Sequence, residues 1–184
     1  MLVLLTEEES LEAFVDVLIR RIFPDAVEGV DWLVLDFRGK ADLQRNVARK
    51  MRSWGYGDPY FVITRDNDGG DCRRLKRRLT ELATPTGKPF KVRIVCQQLE
   101  SWFMGCPDAV QRAYPDRDIE AEARSAKWRS PDRATNAPDI VASATDDRTK
   151  VSRARRVAAH FDPSGCTSSS FQVFWRTISD VLGR

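Results

Sequence analysis

The stretch YFVITRDNDGGDC, residues 60–72, joins a short apolar run to a turn that carries three aspartates. Residues 60–64 are apolar or β-branched, as expected for a strand that is buried on both faces of a parallel sheet. Asp66 and Asp68 follow at alternate positions, so both carboxylates can point the same way just after the strand. This stretch predicts a strand–turn–helix unit with two carboxylates at the carboxyl end of the strand.

The same alternation of short apolar runs and amphipathic helices extends through the first hundred residues. Strands are predicted at residues 2–6, 32–35, 60–64 and 91–96, and helices at 10–23, 41–54 and 71–83. This order is typical of βαβ units, whose right-handed crossovers bring all strand carboxyl ends to one edge, where ligands bind. We therefore predict an α/β, Rossmann-like fold with a mostly parallel four-stranded sheet flanked by helices.

The character of the chain changes in its second half. Residues 115–150 are rich in Asp and Arg and are broken by three prolines, which predicts loops and short helices. Two further helices are predicted at 150–161 and 171–182. We expect an α/β core over residues 1–105 and a loop-rich, helical C-terminal extension over residues 106–184 that packs on it.

The composition narrows the class of protein. A hydrophobic content of 42% with five tryptophans indicates a packed globular chain, and a net charge of +3 permits a nucleic-acid partner without requiring one. The four cysteines form no CxxC pair and His160 is the single histidine, which argues against a zinc site. The apolar run at residues 1–5 is too short for a signal peptide or a membrane span, so we expect a cytoplasmic protein.

Acidic side chains follow three of the predicted strands. Glu7 follows the first strand, Asp66 and Asp68 follow the third, and Glu100 lies a few residues past the fourth. Carboxylates that converge at one edge repel each other unless a cation neutralises them, and Mg²⁺ prefers such oxygen ligands. Each residue also has an ordinary interpretation as a turn or helix-start carboxylate, and Asp71 is expected to cap the next helix.

Three segments resemble the Toprim superfamily, in which a glutamate follows the first strand and an Asp-x-Asp pair follows a later one. The similar segments are LLTEEESLEAF (4–14), ITRDNDGGDC (63–72) and CQQLESWF (96–103). The last of these resembles the acidic-aromatic segment of OLD-type nucleases. The resemblance implies a Toprim-like fold.

The resemblance covers about residues 2–105 and departs from the family pattern at one position. The usual glycine after the first glutamate is Glu8 here, which leaves the choice between Glu7 and Glu8 as the first metal ligand open. More narrowly, the chain is similar to small stand-alone Toprim-like proteins of unknown function, often encoded beside an ATPase. Their late lysine-helix and Ser-Phe segments are similar to residues 149–151 and 170–171 here.

The resemblance implies a chemistry for these residues. Glu7, Asp66 and Asp68 are expected to hold Mg²⁺ or Mn²⁺ for phosphodiester cleavage. Glu100 is expected to bind a second metal ion or to orient water, and Lys150 to stabilise negative charge on the phosphate. The ordinary alternative for Lys150 is a solvated lysine at a helix start.

The helix predicted after the aspartate turn is strongly basic. Arg73, Arg74 and Arg77 are candidates for contacts with the phosphates of a nucleic acid, which position DNA or RNA without reading bases. A solvated surface is the plain alternative for such a run of charges.

Three functions compete on these observations. The leading one is a metal-dependent nuclease or nicking enzyme that acts on DNA or RNA, with DNA favoured over RNA, together with an ATPase partner in phage defence or DNA processing. The second is a non-catalytic regulatory subunit of an ATPase complex, favoured by the short chain and the altered opening at Glu8. The third, a phosphoryl-acceptor domain, ranks low because Asp66 has Asp68 beside it and no lysine closes the fourth strand.

Overall fold

The computed structural model describes residues 1–183 and contains an α/β sheet unit in its first half. Its elements are β1 (Leu2–Thr6), α1 (Glu9–Ile22), β2 (Trp32–Asp36), α2 (Lys40–Arg52), β3 (Tyr60–Asp66), α3 (Cys72–Ala83) and β4 (Phe90–Val95). The strands form one sheet in the order β2-β1-β3-β4, and every neighbouring pair is parallel. The predicted α/β fold with a parallel four-stranded sheet is therefore confirmed.

The second half of the described chain is helical. Its helices are α4 (Leu99–Met104), α5 (Pro107–Ala113), α6 (Ile119–Ala123), α7 (Ala137–Thr145), α8 (Lys150–Ala158) and α9 (Ser169–Leu182). Helix α9 begins before the predicted start because the Ser168 hydroxyl caps it by accepting a hydrogen bond from the Phe171 amide. Within residues 1–183, none of the helices combines the length and the apolar character that crossing a bilayer requires.

Local sequence explains where the central elements begin and end. All five residues of β1 are buried, because this strand lies between β2 and β3 and its side chains pack alternately into the hydrophobic cores on the two faces of the sheet. The side chain of Asp71 accepts hydrogen bonds from the amides of Arg73 and Arg74, at 2.8 and 3.2 Å, and so caps α3. The predicted role of Asp71 as a helix cap is confirmed.

The two faces of the sheet are covered differently. Helices α2 and α3 cover one face with the smaller of the two hydrophobic cores, which includes Leu43, Val47 and Leu79. On the other face, Phe14 of α1 packs edge-on against Phe161, with 5.0 Å between the ring centres, in a large core shared with the C-terminal helices. The predicted boundary after residue 105 stays a prediction, and the hydrophobic core runs across it.

Candidate metal centre at the carboxyl edge of the sheet

Three of the predicted acidic residues lie buried at the carboxyl edge of the sheet. Glu7 directly follows β1, Asp66 is the last residue of the neighbouring strand β3, and Glu100 is the second residue of α4. Their exposed fractions are 3%, 7% and 4%. Because β1 and β3 are parallel and adjacent, both strands deliver their carboxylates to the same edge.

Asp66 lies among other carboxylates. Burial raises the pKa of Asp66 well above its usual range, and nearby negative charges raise it further. Those charges belong to Glu8, Glu7, Asp68 and Glu100. Within residues 1–183, no cationic side chain pairs with Asp66. The edge therefore holds a buried acidic group whose charge the protein does not balance.

Glu7 is a second buried carboxylate with a raised pKa, although two cationic side chains lie near it. Burial raises the pKa of Glu7 to about 7, although the guanidinium of Arg65 and the ammonium of Lys40 oppose this shift. The Glu7 Oε2 atom lies 3.5 Å from Arg65 Nε, yet it is buried and has no hydrogen-bond partner within residues 1–183. A buried carboxylate oxygen without a partner is an available ligand for a cation.

Glu8 lies nearer to solvent than Glu7. It precedes α1, its carboxylate accepts a hydrogen bond of 3.2 Å from Ser10 Oγ, and its Oε2 atom lies 3.5 Å from Lys150 Nζ. Glu8 is thus already partnered, whereas Glu7 has the deeper position and the free oxygen. This difference favours Glu7 as the first ligand, while Glu8 contributes to the negative potential around Asp66.

The turn that carries Asp68 is held in place by the segment after β4. The Asp68 amide donates to the Gln97 carbonyl oxygen, at 3.2 Å, and the Gly69 amide donates to Gln97 Oε1, at 2.8 Å. Gln98 Nε2 donates to Asp68 Oδ1, at 3.2 Å. Asp68 adopts a left-handed backbone with φ of 46°, a conformation that aspartate tolerates better than most residues.

Lys40 is a site residue that sequence reasoning missed. Its Nζ atom lies 2.5 Å from Asp68 Oδ2, and this ion pair raises the pKa of Lys40. Lys40 begins α2 soon after β2 ends, so the strand-end rule that selected the acidic residues would have selected it too. Its side chain is 45% exposed and is free to turn toward solvent.

Arg153 is the second residue that was missed. Its Nη2 atom lies 2.6 Å from Glu100 Oε1, with side-chain exposures of 1% and 5%, and its Nη1 donates to the Asp147 backbone carbonyl. Arg153 therefore neutralises Glu100 in the interior. The signal was its spacing on α8: Arg153 lies one turn before Val157, on the buried face of that helix.

The predicted basic residues lie near this edge. Lys150 is the first residue of α8, and its contact with Glu8 brings it to the acidic residues. Arg73, Arg74 and Arg77 are all exposed on α3, which begins directly after the aspartate turn. The structure thus places a cationic surface next to the carboxylates.

Comparison with known proteins places the chain in a family. A family model described as a domain of unknown function, DUF4276, matches residues 6–179. The chain belongs to this family. No curated protein matches the sequence.

The structure of the DUF4276 chain is also similar to the C-terminal region of the OLD protein of Xanthomonas campestris pv. campestris. The TM-score is 0.56 at 14% sequence identity, and the match covers 99% of this chain and 95% of that chain. At this identity the likeness shows the fold alone. The predicted relation to OLD-type proteins is therefore confirmed for the fold, and Toprim membership stays an expectation.

The residues of the DUF4276 chain fit a divalent ion in their donor chemistry. Glu7 supplies a buried carboxylate oxygen without a hydrogen-bond partner, Asp66 supplies a buried carboxylate without an ion-pair partner, and Asp68 supplies a third carboxylate on the adjoining turn. Within residues 1–183, no three Asp, Glu, His or Cys side chains are already arranged to hold a metal ion. Asp68 is paired with Lys40, whose side chain is 45% exposed.

Proposed function

We propose that this chain is a Mg²⁺- or Mn²⁺-dependent phosphodiester-cleaving protein, a nuclease or nicking enzyme that acts on DNA rather than RNA. The observation that carries the proposal is Asp66, a buried aspartate at a sheet edge whose pKa is raised by burial and by the negative charge of other carboxylates, and whose side chain forms no ion pair within residues 1–183. A structural aspartate in such a place would gain from a cationic partner, as Glu100 gains from Arg153. A divalent ion supplies the missing charge.

In this proposal Glu7, Asp66 and Asp68 hold the ion through carboxylate oxygens. When bound, a divalent ion stabilises the attacking and leaving oxygens of a phosphodiester displacement. The three carboxylates must be ionised to act as ligands, and the pKa of Glu7 near 7 means that it loses its proton at about neutral pH.

Cationic side chains at the edge would act on the phosphate. If Asp68 held a divalent ion, Lys40 would no longer be needed as its counter-charge, and the partly exposed ammonium group of Lys40 would be available to contact a phosphate oxygen. Lys150 lies at the same edge through its contact with Glu8 and can serve the same purpose. Glu100 is expected to bind a second metal ion or to orient water, and its buried ion pair with Arg153 occupies one of the oxygens that a second metal ion would need.

The exposed arginines of α3 would bind the nucleic-acid backbone. Arg73 and Arg77 are one helical turn apart and follow the aspartate turn directly. Replacement of both by glutamine should weaken binding to DNA of any sequence and flatten its salt dependence by roughly two phosphate contacts. Binding isotherms at several salt concentrations measure this, and an unchanged salt slope would remove α3 from the interface.

The ATPase partner is proposed from the resemblance to stand-alone Toprim-like proteins alone. The likeness to the C-terminal region of an OLD protein is compatible with it as a likeness of fold. A role in phage defence or DNA processing has the same support. Co-purification with an ATPase that is encoded beside the gene tests this part of the proposal.

Cleavage of supercoiled plasmid in the presence of Mn²⁺ or Mg²⁺ tests the activity. We expect nicking by the wild type, and a loss of at least about a hundredfold in Asp66→Asn, because the central ligand is gone. Asp71→Asn is the matched control: it removes a carboxylate five positions away, and asparagine caps a helix as well as aspartate does. Equal cleavage by Asp66→Asn and the wild type would overturn the assignment.

A non-catalytic regulatory subunit is the second candidate, and one observation favours it. Lys40 and Arg153 neutralise Asp68 and Glu100 without any metal ion, so part of the acidic edge is stable as it stands. Under this alternative, the wild type forms a stable complex with the ATPase and leaves plasmid intact even in that complex.

A further inference from the structure

Two of the four cysteines form a close pair beside the acidic edge. The Sγ atoms of Cys72 and Cys96 lie 3.2 Å apart, and both residues are free thiols and half-buried. Cys72 is the first residue of α3, and Cys96 directly follows β4. The remaining cysteines, Cys106 and Cys166, are free and buried.

The pair contacts the turn that carries the metal-ligand candidates. Asn67 lies between Asp66 and Asp68, and its Nδ2 donates hydrogen bonds to Cys72 Sγ, at 3.1 Å, and to the Gly70 carbonyl oxygen, at 2.9 Å. A change at the Cys72 sulfur therefore reaches the middle of the aspartate turn through one side chain.

A small oxidant has access to both sulfurs. Cys72 and Cys96 line a surface cavity of about 330 Å³, together with Val92, Ile94, Asp132 and Val173. This volume is many times the roughly 30 Å³ that a water molecule occupies in the liquid, and hydrogen peroxide is only slightly larger than water.

We propose that Cys72 and Cys96 are a redox modification site that closes reversibly into a disulfide and fixes the start of α3 to the end of β4. The sulfurs must approach from 3.2 Å to about 2.05 Å, a shift of about 1.2 Å that side-chain rotation and a slight movement of α3 supply. A pair that is reduced in a reducing compartment and accessible to oxidant is typical of a regulatory disulfide. The link to the metal-carrying turn rests on the proposed function; the disulfide itself does not.

The chemistry balances with a peroxide as the oxidant. One thiol sulfur attacks a peroxide oxygen, the O–O bond breaks, and the products are a sulfenic acid and one water molecule. The second thiol sulfur then attacks the sulfenic sulfur, the S–O bond breaks, and the hydroxyl leaves as a second water molecule. Two thiols lose two electrons and two protons, and hydrogen peroxide gains both. A small dithiol reverses the reaction and is itself oxidised.

Peptide mapping of the full chain tests the proposal. Reduced protein is treated with hydrogen peroxide, alkylated with iodoacetamide and digested with trypsin, which yields Cys72 in residues 66–73 and Cys96 in residues 94–112. The second peptide also contains Cys106, so the experiment is made in a Cys106→Ser background. We expect these two peptides to be joined with the loss of two hydrogens, and to separate again with dithiothreitol.

Serine variants provide the controls. Cys72→Ser and Cys96→Ser in the same background must each abolish the joined species, while Cys166→Ser must leave it unchanged. Alkylation of both Cys72 and Cys96 after peroxide treatment, or over-oxidation of either to the sulfinic acid, would overturn the proposal. Circular dichroism of each variant confirms that the fold is retained.

A second measurement addresses the coupling to the aspartate turn without using a metal ion or a nucleic acid. Amide hydrogen exchange over residues 66–73 should slow at least about threefold in the oxidised protein, because the disulfide restrains the turn. Unchanged exchange in a protein shown to contain the disulfide would refute the coupling. Neither measurement depends on cleavage, so a failure of the proposed nuclease activity would be seen separately.

Discussion

Glu100 and Asp66 are two buried acidic residues at the same edge of the sheet, and they differ in whether a cationic side chain neutralises them. Glu100 lies 2.6 Å from the buried guanidinium of Arg153, so its charge is balanced inside the protein. Asp66 is similarly buried, yet burial and the negative charge of neighbouring carboxylates raise its pKa, and no cationic side chain forms an ion pair with its carboxylate within residues 1–183. The comparison indicates that the protein itself neutralises Glu100, whose ion pair joins two helices. The charge of Asp66, in contrast, is left for an external cation to neutralise.

The largest expected effect is on the free energy of unfolding, and it concerns the Glu100–Arg153 ion pair. Arg153→Met should lower the free energy of unfolding by about 3 to 5 kcal/mol, because it leaves Glu100 buried without a counter-charge. Urea denaturation measures this change. Arg155→Met is the matched control, since Arg155 is exposed on the same helix, and it should cost less than about 0.5 kcal/mol.

The double variant Glu100→Gln/Arg153→Met separates the ion pair from packing. Once both charges are removed, most of the lost stability should return. The interpretation would be wrong if Arg153→Met lowered the free energy of unfolding by less than about 1 kcal/mol. It would also be wrong if the double variant lost as much stability as Arg153→Met alone.

An effect of intermediate size is expected in the pH dependence of stability, and it concerns Glu7. The folded-state pKa of Glu7 is raised from 4.5 to about 7, so between these values the folded protein keeps a proton that the unfolded chain has lost. The stability of the metal-free protein should therefore fall as pH rises from about 4.5 to about 7, by roughly 3 kcal/mol from this residue.

Glu7→Gln should flatten this part of the stability profile, because the amide does not titrate. Glu9→Gln, at an exposed neighbouring position, should leave it as in the wild type. Denaturation at pH 5, 6, 7 and 8 makes the measurement. A Glu7→Gln variant with the slope of the wild type would show that Glu7 is not the group that titrates.

The smallest effect concerns the exposed cation. Lys40→Gln should change the free energy of unfolding by less than about 1 kcal/mol, because its ion pair with Asp68 is partly exposed. The same variant should tighten Mn²⁺ binding a few-fold, since lysine no longer competes for Asp68. Weaker Mn²⁺ binding in Lys40→Gln would mean that Lys40 belongs to the bound state.

Local sequence patterns predicted much of the fold, but they did not predict which of the acidic residues are paired with cationic side chains. The apolar runs predicted all four strands, and their order along the chain identified Glu7, Asp66 and Glu100 as strand-end residues that the structure brings to one edge. The alternating pattern did not show that β3 continues to Asp66, because Arg65 and Asp66 are polar residues that are buried only in the tertiary structure.

The cationic partners were harder to find. Arg153 lies in a helix with several exposed arginines, and its own burial depends on the approach of Glu100 from a helix about fifty residues earlier. The Cys72–Cys96 pair likewise joins two distant segments, since the two residues are 24 positions apart in the sequence. Such contacts depend on strand order and on helix packing, which spacing along the chain does not determine.

Calorimetric titration with Mn²⁺ tests the central claim most directly: the acidic edge binds a divalent ion through Asp66. Wild type, Asp66→Asn and the control Asp71→Asn are titrated at pH 8, where the pKa of Glu7 near 7 leaves that ligand ionised. We expect the wild type and Asp71→Asn to bind Mn²⁺ with equal affinity, and Asp66→Asn to bind it at least about tenfold more weakly. Equal affinity in Asp66→Asn, or no binding by the wild type, would contradict the claim.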